Sequence, residues 1–138
     1  MKINPSQLQV MFDIIGMDRQ RLHWSLKQMG KKHLKSPYKE QWTEDNPTRG
    51  YCYVVSEFIY HYFPTRLEKT PMLLKDIPEP GTHRYIKLGD VIIDLTVDQF
   101  PDVSQVDYTQ GKSSPFMWVK GGGPSKRTKL LADIYFGI

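Results

Sequence analysis

The chain has 138 residues, of which 39% are hydrophobic and 25% charged, with a formal net charge of +4; this is the make-up of one soluble globular domain, 1–138, long enough to bury its own core. One cysteine, Cys52, excludes an internal disulfide framework. No apolar run approaches the roughly 18 residues of a membrane span, and the first residues lack the pattern of a signal peptide, so a cytoplasmic protein without membrane association is expected.

The charge is uneven. Residues 1–40 hold 8 Lys/Arg against 3 Asp/Glu, residues 41–110 hold 6 against 11, and residues 111–138 hold 5 against 1. Basic ends around an acidic middle suit an anionic ligand as well as ordinary solvated faces. Nucleic acid enters as a partner only through net charge, since no zinc-finger or RNP-type motif is present.

In chain order, Ser6 can cap a helix whose apolar residues Leu8, Val10, Met11, Ile14 and Ile15 recur at helical spacing. Asp18 can cap a second, with Leu22, Leu26 and Met29 on one side and Gly30 as its stop. A long polar loop over 31–50 follows, broken by Pro37 and Pro47. Residues 51–63 read as a helix with Val54, Val55, Phe58, Ile59 and Tyr62 on one face, ended by Pro64. Met72–Lys75 is a short strand, and HRYIKLGDVIIDLT a β-hairpin with Gly89-Asp90 at its tip. Loop dominates until a strand at Phe116–Lys120, and Ser125 then caps a C-terminal helix. The fold class is α+β: N-terminal helices packed with a small antiparallel sheet and a C-terminal helix.

Cys52 stands in the first turn of its helix, where unpaired N–H groups and the helix dipole favour a thiolate. Gly50 permits a sharp turn and leaves room before it. A buried filler cysteine explains the position equally, because Cys52, Val55, Ile59 and Tyr62 share one face. A thiol nucleophile requires a base and a group that orients the base. In the hairpin, Leu88 opposite Val91 places Tyr85 opposite Asp94, so His83 and Asp94 become same-face diagonal neighbours, about 7 Å apart at Cβ. The opposite face, with Ile86, Leu88, Val91, Ile93 and Leu95, is the apolar one, which makes the His83 face the more polar. A surface His–Asp pair is the competing reading, and a one-residue slip would separate the two.

His61 lies too far along the Cys52 helix to meet the thiol. His23 and His33 stand in basic surroundings. No HExxH, CxxC or EF-hand spacing occurs, so neither a metal nor a cofactor is expected. Ser125, Lys126 and Arg127 open a helix after GGGP and are candidates for holding an anion.

The segments QWTEDNPTRGYC, His83 with Tyr85, and IIDLTVDQF, in this order over residues 41–101, resemble the YunG-like family of small bacterial and phage proteins. The elements of the resemblance are Trp42, Asn46, Pro47, Thr48, Gly50 and Cys52, then His83, then Asp94, Leu95, Thr96, Gln99 and Phe100. The PSKR segment at 124–127 is similar to one in some relatives, and the first 40 residues match nothing in it. Arg84 departs from the His-Tyr or His-Trp pair common in relatives.

The resemblance implies a papain-like or transglutaminase-like fold, with Cys52 as nucleophile, His83 as base and Asp94 as the orienting residue. It implies no substrate. The expected activity is thiol-dependent hydrolysis or acyl transfer on an amide or ester bond of a small-molecule or protein substrate. The oxyanion would meet the Cys52 N–H and a side chain from the preceding loop, Asn46 or Gln41, near Trp42 and Gly50. The alternative is a catalytically silent module of the same fold that binds a nucleotide, nucleic acid or acidic protein through its basic termini.

Overall fold

The computed structural model describes residues 6–117 and 122–138. The expected α+β class is observed: helices packed on a four-stranded antiparallel sheet. The elements are α1 (Gln7–Ile15), α2 (Arg19–Met29), α3 (Tyr38–Gln41), α4 (Cys52–Tyr62), β1 (Lys69–Lys75), β2 (Thr82–Leu88), β3 (Val91–Ile93), β4 (Lys112–Ser113) and α5 (Lys126–Phe136). Three single 3-10 turns fill Val97–Gln110. The sheet order is β3-β2-β1-β4. No helix among the described residues is long and apolar enough to cross a membrane.

Local signals explain most boundaries. The Asp18 side chain accepts from the Arg21 N–H, which caps α2, and Gly30 ends that helix at φ 64°. Ser6 occupies the N-cap position of α1 without a side-chain capping bond. The Gly89-Asp90 tip fixes the hairpin register at Leu88↔Val91, Lys87↔Ile92 and Ile86↔Ile93.

The sequence reading needs correction at four places. The polar 31–50 segment contains α3 and a Thr43↔Asn46 bridge, so it is a folded loop. The first strand starts earlier, at Lys69. The last strand is Lys112–Ser113, paired with Met72 and Leu73; Phe116 and Met117 are not in a strand, and Trp118–Lys120 lie outside the described residues. Finally, α4 is enclosed on nearly every side, with all of Val54–Ile59 buried, Ser56 and Glu57 included.

The reason for this enclosure is that α4 packs on β2 on one side and on α5 on the other. Phe58, wholly buried, lies within 5.7 Å of the rings of Tyr62, Phe63, Tyr135 and Phe136. Burial of one such side chain stabilises the fold by about 1.5–3 kcal/mol. Lys69 Nζ donates to the carbonyls of Ile59, Tyr60 and Phe63, satisfying acceptors that the end of α4 leaves unpaired. The helix that begins with Cys52 is therefore held firmly at both its middle and its far end.

Candidate active site

Two segments far apart in sequence bind each other and set the entry to α4. Asn46 Nδ2 donates to the Gln99 carbonyl at 3.0 Å, Thr48 Oγ1 to Asp98 Oδ1 at 2.8 Å, and the Gly50 N–H to Gln99 Oε1 at 3.3 Å. Gln99 Nε2 in turn donates to the Thr96 carbonyl. Asp98 also faces His23 Nε2 at 3.4 Å and Arg19 at 3.8 Å. Gly50 has φ +81°, and a Cβ there would meet Tyr38 Cβ at 2.8 Å and Leu34 at 3.1 Å. Both the backbone and Tyr38 therefore require glycine. The space that the missing side chain leaves is filled by Tyr38 and Leu34.

Past that turn, Cys52 is the first residue of α4, half-buried and on the wall of a cavity of about 380 Å³. His83 lines the same cavity from β2. Its Nε2 bonds Asp94 Oδ2 at 2.7 Å, and both residues are buried, at 3% and 1% exposure. The β2–β3 ladder ends at Ile93, so Asp94 follows the last pair and its carboxylate turns to His83. Tyr108 donates its hydroxyl to the same Oδ2. Phe100 packs edge-on against the His83 ring at 4.8 Å, and Tyr85 stacks at 6.4 Å. The hairpin face read as the more polar one is therefore a second buried face, covered by the 97–113 segment. Gly111 closes the back of this cluster. Its φ of −69° is ordinary, yet a Cβ there would fall 1.8 Å from the Tyr85 hydroxyl.

The electrostatics couple the thiol to the imidazole. Burial pushes the Cys52 thiol up. The nearby His83 ring, with the Arg84 N–H, outweighs that effect, so the thiol ends below its ordinary value. Burial pushes His83 down. The charge and hydrogen bond of Asp94, then the interaction with Cys52, carry it instead up to about 10. The other ring nitrogen, Nδ1, has no aligned hydrogen-bond partner among the described residues, and the thiol is within interaction range of the ring. Shifts in these directions favour a thiolate beside an imidazolium.

The remaining candidates have other positions. Asn46 is committed to Gln99, Trp42 Nε1 donates to the Pro47 carbonyl at 3.0 Å, and Gln41 Oε1 accepts from both Arg49 Nε and Nη2. None of these three lines the cavity. Ser125 caps α5 and, through its N–H and Oγ, donates to buried Glu57, which also accepts from Thr128 Oγ1. The start of α5 thus already holds an internal carboxylate. Lys126 is exposed, and Arg127 lines the cavity. Arg84 lies across the Tyr53 and Phe116 rings, 5.7 Å from each, and donates to the Ser114 carbonyl.

Sequence reasoning missed three residues of this site. Tyr108 lies in a loop without periodicity. Arg49, 8% exposed, links Gln41 to Glu79 at 2.5 Å and so ties the cysteine loop to the β1–β2 turn. Gln99 was visible as a motif residue, without a role. Its spacing from Asp94 was the only signal.

Comparison with known proteins agrees with the motif order. The family model described as YunG protein matches residues 18–121. The match begins at the cap of α2, so residues 18–40 fall within it although they resembled nothing by inspection, and PSKR lies beyond its end. Neither the curated proteins nor the solved structures contain a match. With three-quarters of its length covered by that model, the chain belongs to the YunG protein family.

Proposed function

We propose that this protein is a thiol-dependent enzyme that cleaves or transfers the acyl group of an amide or ester, on a reduced papain-like or transglutaminase-like arrangement of helix and sheet. The observation that carries the reading is the shared cavity. Cys52 at the head of α4 and His83 from β2 both line it, and His83 is bonded from behind to buried Asp94 at 2.7 Å.

In this mechanism the Cys52 thiolate attacks the acyl carbon, and the negative charge moves to the carbonyl oxygen. The Cys52 N–H, which has no intrahelical acceptor at a helix start, is a backbone donor available to it. Collapse breaks the C–N or C–O bond, and imidazolium His83 gives its proton to the leaving group. Water, or a second acceptor, then attacks the thioester as His83 takes its proton back, and the thiolate departs. Asp94 holds the ring orientation throughout. A reducing cytoplasm suits such a free thiol.

Alkylation of Cys52 by iodoacetamide, followed by intact mass against pH, tests the reading. It should persist well below the ordinary thiol range and slow about tenfold or more at neutral pH in His83→Ala. An apparent pKa near about 8.5 in both proteins would sink the reading. Loss of biological activity in Cys52→Ser assigns chemistry to the thiol, and retention assigns a binding role.

A further inference from the structure

Two unlike sets of groups line the cavity. One set comprises Cys52 and His83, and the other is basic: His33, Lys35 and Arg127, with Arg127 bonded to His33. A single acidic residue lines it, Glu79, and its carboxylate is engaged by Arg49 at 2.5 Å. Lys35 is exposed and pairs with no carboxylate among the described residues. Arg127 is half-buried and fixed through one nitrogen, Nη1, which donates to the His33 carbonyl at 3.2 Å. The rest of its guanidinium fork has no acceptor among the described residues, the form in which arginine takes an oxyanion by two parallel bonds. The field of these basic groups is visible on His33, whose proton is held less tightly because of burial first and then the charges of Lys32 and Arg127. Tyr38 and Phe100 add apolar ring surface to the same lining.

Building on the thiol reading, we infer that the substrate carries an anionic group, a carboxylate or phosphate, seated on Arg127 and Lys35 while its acyl carbon faces Cys52. A cavity of about 380 Å³ holds a small molecule or a short chain end of that kind.

The test compares two nearly isosteric alkylating agents on the intact chain, iodoacetate with a carboxylate and iodoacetamide without one. The ratio of their rates on Cys52, divided by the same ratio on glutathione, should be about tenfold above one. Arg127→Gln should lower the ratio about fivefold or more, and Lys35→Gln, an exposed change that removes no structural bond, about two- to fivefold. Lys129→Gln removes equal charge outside the cavity and should leave the ratio in place. An unraised ratio in the wild type, or one that neither cavity variant lowers, overturns the inference.

The pH profile with iodoacetamide alone reports the thiol reading, so the two can fail separately. If Cys52 proves an ordinary thiol, the ratio is measured at alkaline pH, where it ionises. At constant ionic strength, protection against iodoacetamide by inorganic phosphate more than by acetate assigns a phosphate group, and the reverse order a carboxylate. Protection by neither counts against the inference.

Discussion

Two helices in contact, α4 and α5, begin in opposite ways. At α5 the start is closed from within: Ser125 accepts from the Thr128 N–H, and the Glu57 carboxylate takes the Ser125 N–H, its hydroxyl and the Thr128 hydroxyl. At α4 the N-cap residue, Tyr51, gives no side-chain bond to the helix start, its hydroxyl donating instead to the Gly30 carbonyl, and the first helical residue is a half-buried cysteine on a cavity. Both ends carry the same partial positive charge. One spends it on a built-in carboxylate, and the other leaves it to a thiol and whatever enters the cavity. A helix start without a cap is thus informative here because its neighbour, made by the same chain, is capped in full.

The largest expected effect concerns titration at the α4 end. Folding raises His83 from its ordinary 6.5 to about 10, so the native state holds this proton more tightly than the unfolded chain. The resulting stability is fully present below about pH 6.5 and is lost as pH rises through about 10. Cys52, lowered by folding, acts in the opposite direction: its contribution is present above its ordinary value and lost as pH falls. In a Cys52→Ala background, where Asp94 alone still raises His83, urea unfolding should therefore show stability declining as pH rises above about 6.5, and His83→Gln should flatten the decline.

Opening the closed end comes next. Glu57→Ala leaves the buried Thr128 hydroxyl and the two half-buried Ser125 donors without this acceptor and should cost about 3 kcal/mol in thermal or urea unfolding, while the alkylation profile of Cys52 stays unchanged. Asp94→Asn weakens the open end instead. It removes the charge that holds the imidazolium, so iodoacetamide alkylation at neutral pH should slow about tenfold. Ser125→Ala is the mildest, about 1 kcal/mol, the usual worth of an N-cap. Equal effects of Glu57→Ala and Asp94→Asn on alkylation would erase the distinction between the two ends.

What was legible in the sequence depended on local periodicity. The two-residue Gly89-Asp90 tip and the alternation around it fixed the hairpin register, and strand parity alone then brought His83 and Asp94 to one side. The helix at 52–62 followed from spacing and Pro64. The enclosure of both groups was not legible. It depends on the 97–113 segment, whose short 3-10 turns have no repeat to read and whose only strand is two residues long. The buried Glu57 was hidden for a related reason. A carboxylate inside an apolar helix face makes sense only once α5 delivers its donors from across the chain. Asn46 and Gln41, read as oxyanion donors from proximity in sequence, face Gln99 and Arg49 instead.

The loop that carries Tyr108 fits behind the His83–Asp94 pair like a stopper in a bottle, and Gly111 sets how deep it can be pushed. Its dihedrals would suit any residue; what it lacks is volume, and the Tyr85 hydroxyl fills that volume. One methyl group at this position would hold the stopper proud of its seat. The enclosure of Asp94, whose charge raises the proton affinity of His83, is thus set by an atom that is missing from a residue outside the Cys52 cavity.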